Sequence, residues 1–212
     1  MKTKKILFYA LAALMGGCIP VLSLQPLYTQ DTLVFNEQLI GTWVDDPNDP
    51  EVSWEFTRMP YAEAEQLPDL LEQAYEKVYR LRIRDEELRE GRFVAALVSL
   101  DGKLFLDVLA DKFPCAEEDI EQMKLFYNAF LFVPGHSFIK VSIAGDRLQL
   151  HLTNDDDFQR LLDDKPKAIA SAAVEDRIIL TASTKKLQAF VAKYADDERL
   201  FADEVTLQRK SP

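Results

Sequence analysis

The side chains best suited to catalysis or metal binding are few. Two histidines, His136 and His151, and two cysteines, Cys18 and Cys115, make up the whole supply of imidazole and thiol ligands. A zinc site needs three or four converging ligands, and these four residues stand at no motif spacing, so no metal is expected. His136 is expected at a strand start and His151 on a strand. Cys115 follows Pro114 and precedes Ala116-Glu117-Glu118. A helix N-terminus would lower its pKa and the carboxylates would raise it; with no C-x-x-C partner it reads as an inert thiol. Asn154–Asp157 (NDDD) lacks the alternating acids, sixth-position Gly and twelfth-position Glu of a calcium loop, and reads instead as an N-capped helix start. Asp45-Asp46 and Asp196-Asp197 could act as acid and base, but among 36 acidic residues adjacency means little. There is no G-x-S-x-G, P-loop or G-x-G-x-x-G. No catalytic residue, metal ligand or cofactor is assigned, and an enzymatic role is not expected.

The N-terminus is more informative. Met1–Lys5 is basic, and Ile6–Met15 (ILFYALAALM) is an apolar run of signal-peptide length. A membrane-spanning helix needs roughly 20 apolar residues. Met15-Gly16-Gly17-Cys18 resembles the bacterial lipobox, with Met15 where Leu is usual. The resemblance implies cleavage before Cys18 and attachment of diacylglycerol and a further acyl chain such as palmitate to it. The alternative is an ordinary cleaved signal peptide with an incidental Cys. Each buried CH₂ of an acyl chain contributes about 0.8 kcal/mol, so two or three chains anchor a protein lastingly. Ile19, not Asp, follows the Cys, which in a Gram-negative host implies the outer membrane. With Cys18 acylated, Cys115 has no intrachain partner, and no disulfide framework is expected.

The formal net charge is −11, and loss of Lys2, Lys4 and Lys5 would make the mature chain more acidic. Polyanionic nucleic acid is therefore not an expected partner. A basic face against anionic headgroups is disfavoured on the same ground.

The spacing predicts a mainly β, α+β domain. Residues 1–17 read as signal peptide, 18–36 as lipidated Cys and tether, and 37–210 as one barrel-like domain with helical insertions. Strands are expected over Leu39–Asp45, Val52–Thr57, Val78–Arg84, Arg92–Leu100, Lys103–Leu109, His136–Ile143, Arg147–Thr153, Ile169–Ala173, Arg177–Ala182 and Val205–Arg209. Asp101-Gly102 is the strongest hairpin turn. Helices are expected over Ala62–Lys77, Ala116–Phe126, Asp155–Asp164 and Thr184–Tyr194. Such an antiparallel meander tends to close, because closure removes exposed edges.

Gly41-Thr42-Trp43 on the first strand resembles the G-x-W signature of lipocalin and calycin barrels. The meander followed by Thr184–Tyr194 and a short last strand is similar to that family too. The resemblance implies a barrel, with Trp43 plugging its closed end and Gly41 allowing close backbone approach. The chain as a whole resembles bacterial lipoproteins in which a G-T-W strand follows a post-lipobox tether; here those features are Cys18, Leu27-Tyr28, Leu33-Val34-Phe35 and Leu39–Trp43.

Gly41, Trp43, Trp54, Phe56, Tyr79, Phe93, Phe105 and Phe138 fall on expected strands as candidate barrel-lining residues. They could surround a small apolar or amphiphilic ligand or simply fill the core; their bulk favours filling. Two readings follow. One is a membrane-anchored, lipocalin-like binding module. The other is an envelope-structural or protein-interaction lipoprotein with no ligand.

Overall fold

The Asp101-Gly102 turn shows how local chemistry sets the register. Both residues adopt positive φ, 48° and 77°, the twist a two-residue hairpin requires. Leu100 and Lys103 therefore face each other, and strands Glu90–Leu100 and Lys103–Ala110 pair along their length. The computed structural model describes residues 21–87, 89–111, 134–174 and 177–210.

In chain order the strands are β1 (Leu22–Ser23), β2 (Leu33–Val34), β3 (Gly41–Val44), β4 (Ser53–Arg58), β5 (Val78–Arg84), β6 (Glu90–Leu100), β7 (Lys103–Ala110), β8 (Ser137–Ala144), β9 (Arg147–Leu152), β10 (Ser171–Val174), β11 (Arg177–Leu180) and β12 (Asp203–Arg209). The helices are α1 (Asp69–Gln73), α2 (Asp155–Asp164) and α3 (Thr184–Lys193). Eight strands form a closed antiparallel ring, β3-β4-β5-β6-β7-β8-β9-β12, with β12 returning to β3. β2 pairs with Leu97 and Val98 of β6, just beyond the last residue paired with β5. A second sheet, β1-β11-β10, lies outside the ring, with β1 parallel to β11.

The ring has an apolar cluster on each side of its wall. Inside are Trp43, Trp54, Phe56, Tyr79, Leu81, Leu97, Leu106, Leu148, Leu150 and Leu207, with others. Outside, Val94, Ala96 and Val98 of β6, Phe105 and Phe138 meet Phe158 and Leu161 of α2 and Leu187, Phe190 and Val191 of α3. Burial on both faces explains why β6 reads as a nearly continuous apolar run. α2 starts where Asn154 accepts a hydrogen bond from the Asp157 amide at 2.8 Å.

Two expectations need correction. Ala62–Lys77 is not one helix. It is a 3₁₀ turn (Tyr61–Gln66), α1 and a second 3₁₀ turn (Tyr75–Lys77). Pro68 is the cause: Leu67 before it is extended, with φ −81° and ψ 155°, as the proline ring demands.

The expected tether, 18–36, belongs to the domain from Val21 onward. Val21, Leu27, Tyr28 and Leu33 are buried in the outer cluster, and β1 and β2 pair with strands of the fold. Full burial of such a side chain stabilises by about 1.5–3 kcal/mol, enough together to hold the segment down. The expected helix Ala116–Phe126 lies outside the described residues, as does Cys115. The last strand is the eighth stave of the ring, begins at Asp203, and follows α3.

Candidate functional site

The barrel axis is the first place to look for a pocket. Trp43, Trp54, Phe56 and Tyr79 all point inward, and Phe93 packs partly buried against them. A water-sized void would leave its lining accessible, yet Trp43, Phe56, Tyr79, Leu81, Leu97, Leu106, Leu148, Leu150 and Leu207 are all 0% accessible. Among the described residues these side chains fill the interior as a core. Phe105 and Phe138 do not line it. They sit on the opposite side of β7 and β8, with ring centres 5.7 and 6.3 Å from that of Phe201. Their neighbours Leu106 and Ile139 take the inward positions, as the two-residue period of a strand requires.

Gly41 and Trp43 serve closure. The β12–β3 seam has two residue pairs, Gln208 with Val44 and Arg209 with Trp43. The Arg209 guanidinium carbon lies 4.2 Å from the Trp43 ring centre. Its Nη1 donates to the Ile40 carbonyl at 2.8 Å, Nη2 to the Gln38 carbonyl at 2.6 Å, and Nε to Asp146 at 3.1 Å. Trp43 Nε1 donates to the Leu39 carbonyl at 2.9 Å. One arginine thus ties the last strand to the 3₁₀ turn Glu37–Leu39. Gly41 has φ 130°, and a Cβ there would stand 2.8 Å from Arg209 Nη1. Only glycine accepts both the conformation and the approaching guanidinium.

His136 and Asp107 form the most buried polar pair. Nδ1 of His136 lies 2.7 Å from Asp107 Oδ1, and Oδ2 accepts from the Leu27 amide at 2.5 Å. The Tyr28 ring meets His136 edge-on at 5.9 Å, and burial, aided by Asp107, raises the Tyr28 hydroxyl above its ordinary pKa. His136 also exchanges backbone hydrogen bonds with Ser23, at 2.8 and 2.9 Å. The pair therefore fastens the N-terminal segment to β7 and β8. Asp107 escaped notice in the sequence, although a lone carboxylate within KLFLDVLA was a usable signal. His151 is half-buried on β9, where burial lowers its pKa, opposed by Glu204.

Asp45 caps its own turn by accepting from the Val52 amide at 3.0 Å. Hydrogen bonds from Lys103, then Lys140, hold Asp196 below its ordinary pKa. Asp197 binds Arg199 through both carboxylate oxygens. Asp196 and Asp197 line an open cleft of about 610 Å³ with Lys165, Lys193, Glu198 and Arg199, but both carboxylates are held in ion pairs, with Lys103 and Lys140 and with Arg199; among the described residues no three His, Cys, Asp or Glu converge on a metal position. Clefts occur on the outside, one of about 670 Å³ between residues 166–170 and α3. Others lie between α2 and β10 and beside Glu63, Arg80 and Arg92.

Fold and interior together define a mainly antiparallel, eight-stranded closed β-barrel with short helices, lipocalin-like in form. Comparison with known proteins found no matching family model, no matching curated protein and no matching solved structure.

Proposed function

We propose that this chain is a lipid-anchored envelope protein whose barrel is a solid body, and that it works through its outer surface without an interior ligand. The filled interior, with Trp43, Phe56, Tyr79, Leu81, Leu97, Leu106, Leu148, Leu150 and Leu207 at 0% accessibility, carries this reading. A binding module would need a concave apolar pocket with a few polar groups, and among the described residues the inward side chains leave no such space.

The anchor reading rests on the Cys18 motif, and the fold gives it a geometric consequence. Val21 is already buried, so only Ile19 and Pro20 separate it from Cys18. Three Cα–Cα steps reach at most about 11 Å. An acylated Cys18 would hold the domain against the bilayer, on the outer membrane in a Gram-negative host, and not on a long leash. Partners would then be the membrane through its anchor and proteins meeting the exposed surface. Nucleic acid is disfavoured by the charge of −11.

Native mass spectrometry of the protein purified gently from its own membranes tests both halves. The expected result is one species at the acylated mass with no further small molecule. A stoichiometric organic ligand would overturn the solid-body reading. An unmodified Cys18 would overturn the anchor and leave the barrel reading standing.

A further inference from the structure

Charge on this protein is unevenly spread. Acidic residues outnumber basic ones, 36 to 25, yet the cleft of about 670 Å³ between residues 166–170 and α3 has only cations among its charged lining residues. Its walls are residues 166–170 and α3. Lys167 comes from the first wall, Lys186 and Lys193 from the second, and no carboxylate lines it. The largely buried Ile169 and Phe190 show their edges at its floor, with the Tyr194 ring beside them.

Of the neighbouring carboxylates, Glu198 lines the adjoining cleft on the far side of Lys193, and three others are engaged elsewhere. Asp196 pairs with Lys103 and Lys140, and Asp164 and Asp197 pair with Arg199. Among the described residues the three cleft lysines make no ion pair. Lys193 Nζ, together with Lys165 Nζ from the rim, instead sits 5.1 and 4.7 Å respectively from the Tyr194 ring centre. A ring face attracts an ammonium but does not neutralise it. Like charges gathered this way repel, and an anion relieves that repulsion.

The type of cation narrows the anion. No arginine lines this cleft, so an anion there meets point charges and not a bidentate fork. A phosphate monoester carries about −1.5 to −2 against a carboxylate's −1, so three lysine point charges attract it more strongly. A volume near 670 Å³ falls in the range of small-molecule sites, about 300–1,000 Å³. We infer that this cleft binds a phosphate-bearing organic anion, with the phosphate on Lys167, Lys186 and Lys193 and the carbon skeleton on Ile169 and Phe190. Two sources share this chemistry: the headgroup of an anionic phospholipid and a soluble phosphate ester. The inference does not require an acylated Cys18. It goes beyond the net-charge expectation, because the distribution of charge matters more to a ligand than its sum.

The test is lysine acetylation footprinting of the full chain, read residue by residue, with exposed Lys210 as internal reference. One arm adds glycerol 1-phosphate. The other compares phosphatidylcholine vesicles with phosphatidylcholine vesicles containing phosphatidylglycerol. At a ligand concentration about ten times the Kd, a covered amine should react about tenfold more slowly, with Lys210 unchanged. Protection in both arms identifies a lipid headgroup, and protection by glycerol 1-phosphate alone identifies a soluble ester. The triple variant K167Q/K186Q/K193Q should lose calorimetric binding of glycerol 1-phosphate while keeping the wild-type melting temperature. No protection in either arm, or equal slowing of Lys210, overturns the site.

Discussion

Arg209 and Trp43 are paired across the β12–β3 seam, and the guanidinium of the first stacks on the ring of the second at 4.2 Å. The strand that ends the described chain thus locks the first strand of the ring. The seam has only two paired positions, so the side-chain clamp carries much of the closure.

Replacing Arg209 by Lys should therefore not be conservative. Lysine keeps the charge but cannot reach the Gln38 and Ile40 carbonyls as a fork. Hydrogen bonds to charged groups contribute about 1.5–3 kcal/mol, and we expect a loss of that order in urea unfolding followed by tryptophan fluorescence. An R209K midpoint equal to wild type would remove the clamp from the account.

Gly41→Ala should destabilise through the same contact. At φ 130° with a guanidinium 2.8 Å from the new Cβ, the added methyl group meets backbone strain and a displaced arginine. Strain of this kind costs about 1–3 kcal/mol. The double variant G41A/R209A should show less than the sum of the single losses, because the second change removes what the first collides with.

Tyr79 links the interior to the N-terminal segment: its hydroxyl accepts from the Asn36 amide at 2.7 Å and donates to the Asn36 carbonyl at 3.1 Å. Burial pushes its pKa up to about 12. The folded protein therefore holds the proton that the unfolded chain releases near pH 10. This contribution is fully present below pH 10 and is lost as pH rises toward 12. Tyr79→Phe should be less stable at neutral pH by about 1–3 kcal/mol, from the unpaired Asn36 amide, and should lose less stability between pH 10 and 12. Alkaline denaturation of both proteins, with the tyrosinate absorbance recorded, checks the sign.

Leu150→Ala distinguishes a packed axis from an open one. A packed site should cost about 2–5 kcal/mol, transfer plus cavity. A loss under about 1 kcal/mol in guanidinium unfolding would mean that Leu150 borders space already empty.

Asp107→Ala should free the N-terminal segment before it unfolds the barrel. The Leu27 amide and His136 both lose their acceptor, and an unpaired buried donor costs about 1–3 kcal/mol. Hydrogen exchange at the Leu27 amide should accelerate far more than exchange within β4 and β5. Uniform acceleration would show that the segment and the barrel open together.

Most strands were legible in the sequence because alternation and turn chemistry agreed, as at Asp101-Gly102 and in VYRLRIR. The inward or outward sense was less legible. β7 and β8 are buried on both faces, so alternation could not assign Phe105 and Phe138, and both proved to face the helices. β1 and β2, at two residues each, are too short to show a period, which is why the segment after Val21 read as a tether. Arg209 and Asp107 act through partners distant in sequence, and no local pattern marks such pairs. Net charge hid the lysine cleft because it sums over faces that a ligand meets one at a time.

The position of β12 in the ring has a consequence for how the molecule comes into being. Chains emerge N-terminus first, whether from a ribosome or through a membrane. Until Asp203–Arg209 are free, β3 and β9 remain open edges, and open edges pair with whatever strand is near. Contacts this distant in sequence also form late and slowly. Completion of the ring therefore waits for Asp203–Arg209, and until then the unfinished sheet needs shielding. A chain cut before Asp203 would be left as a curled sheet with two live edges and not as a slightly smaller barrel.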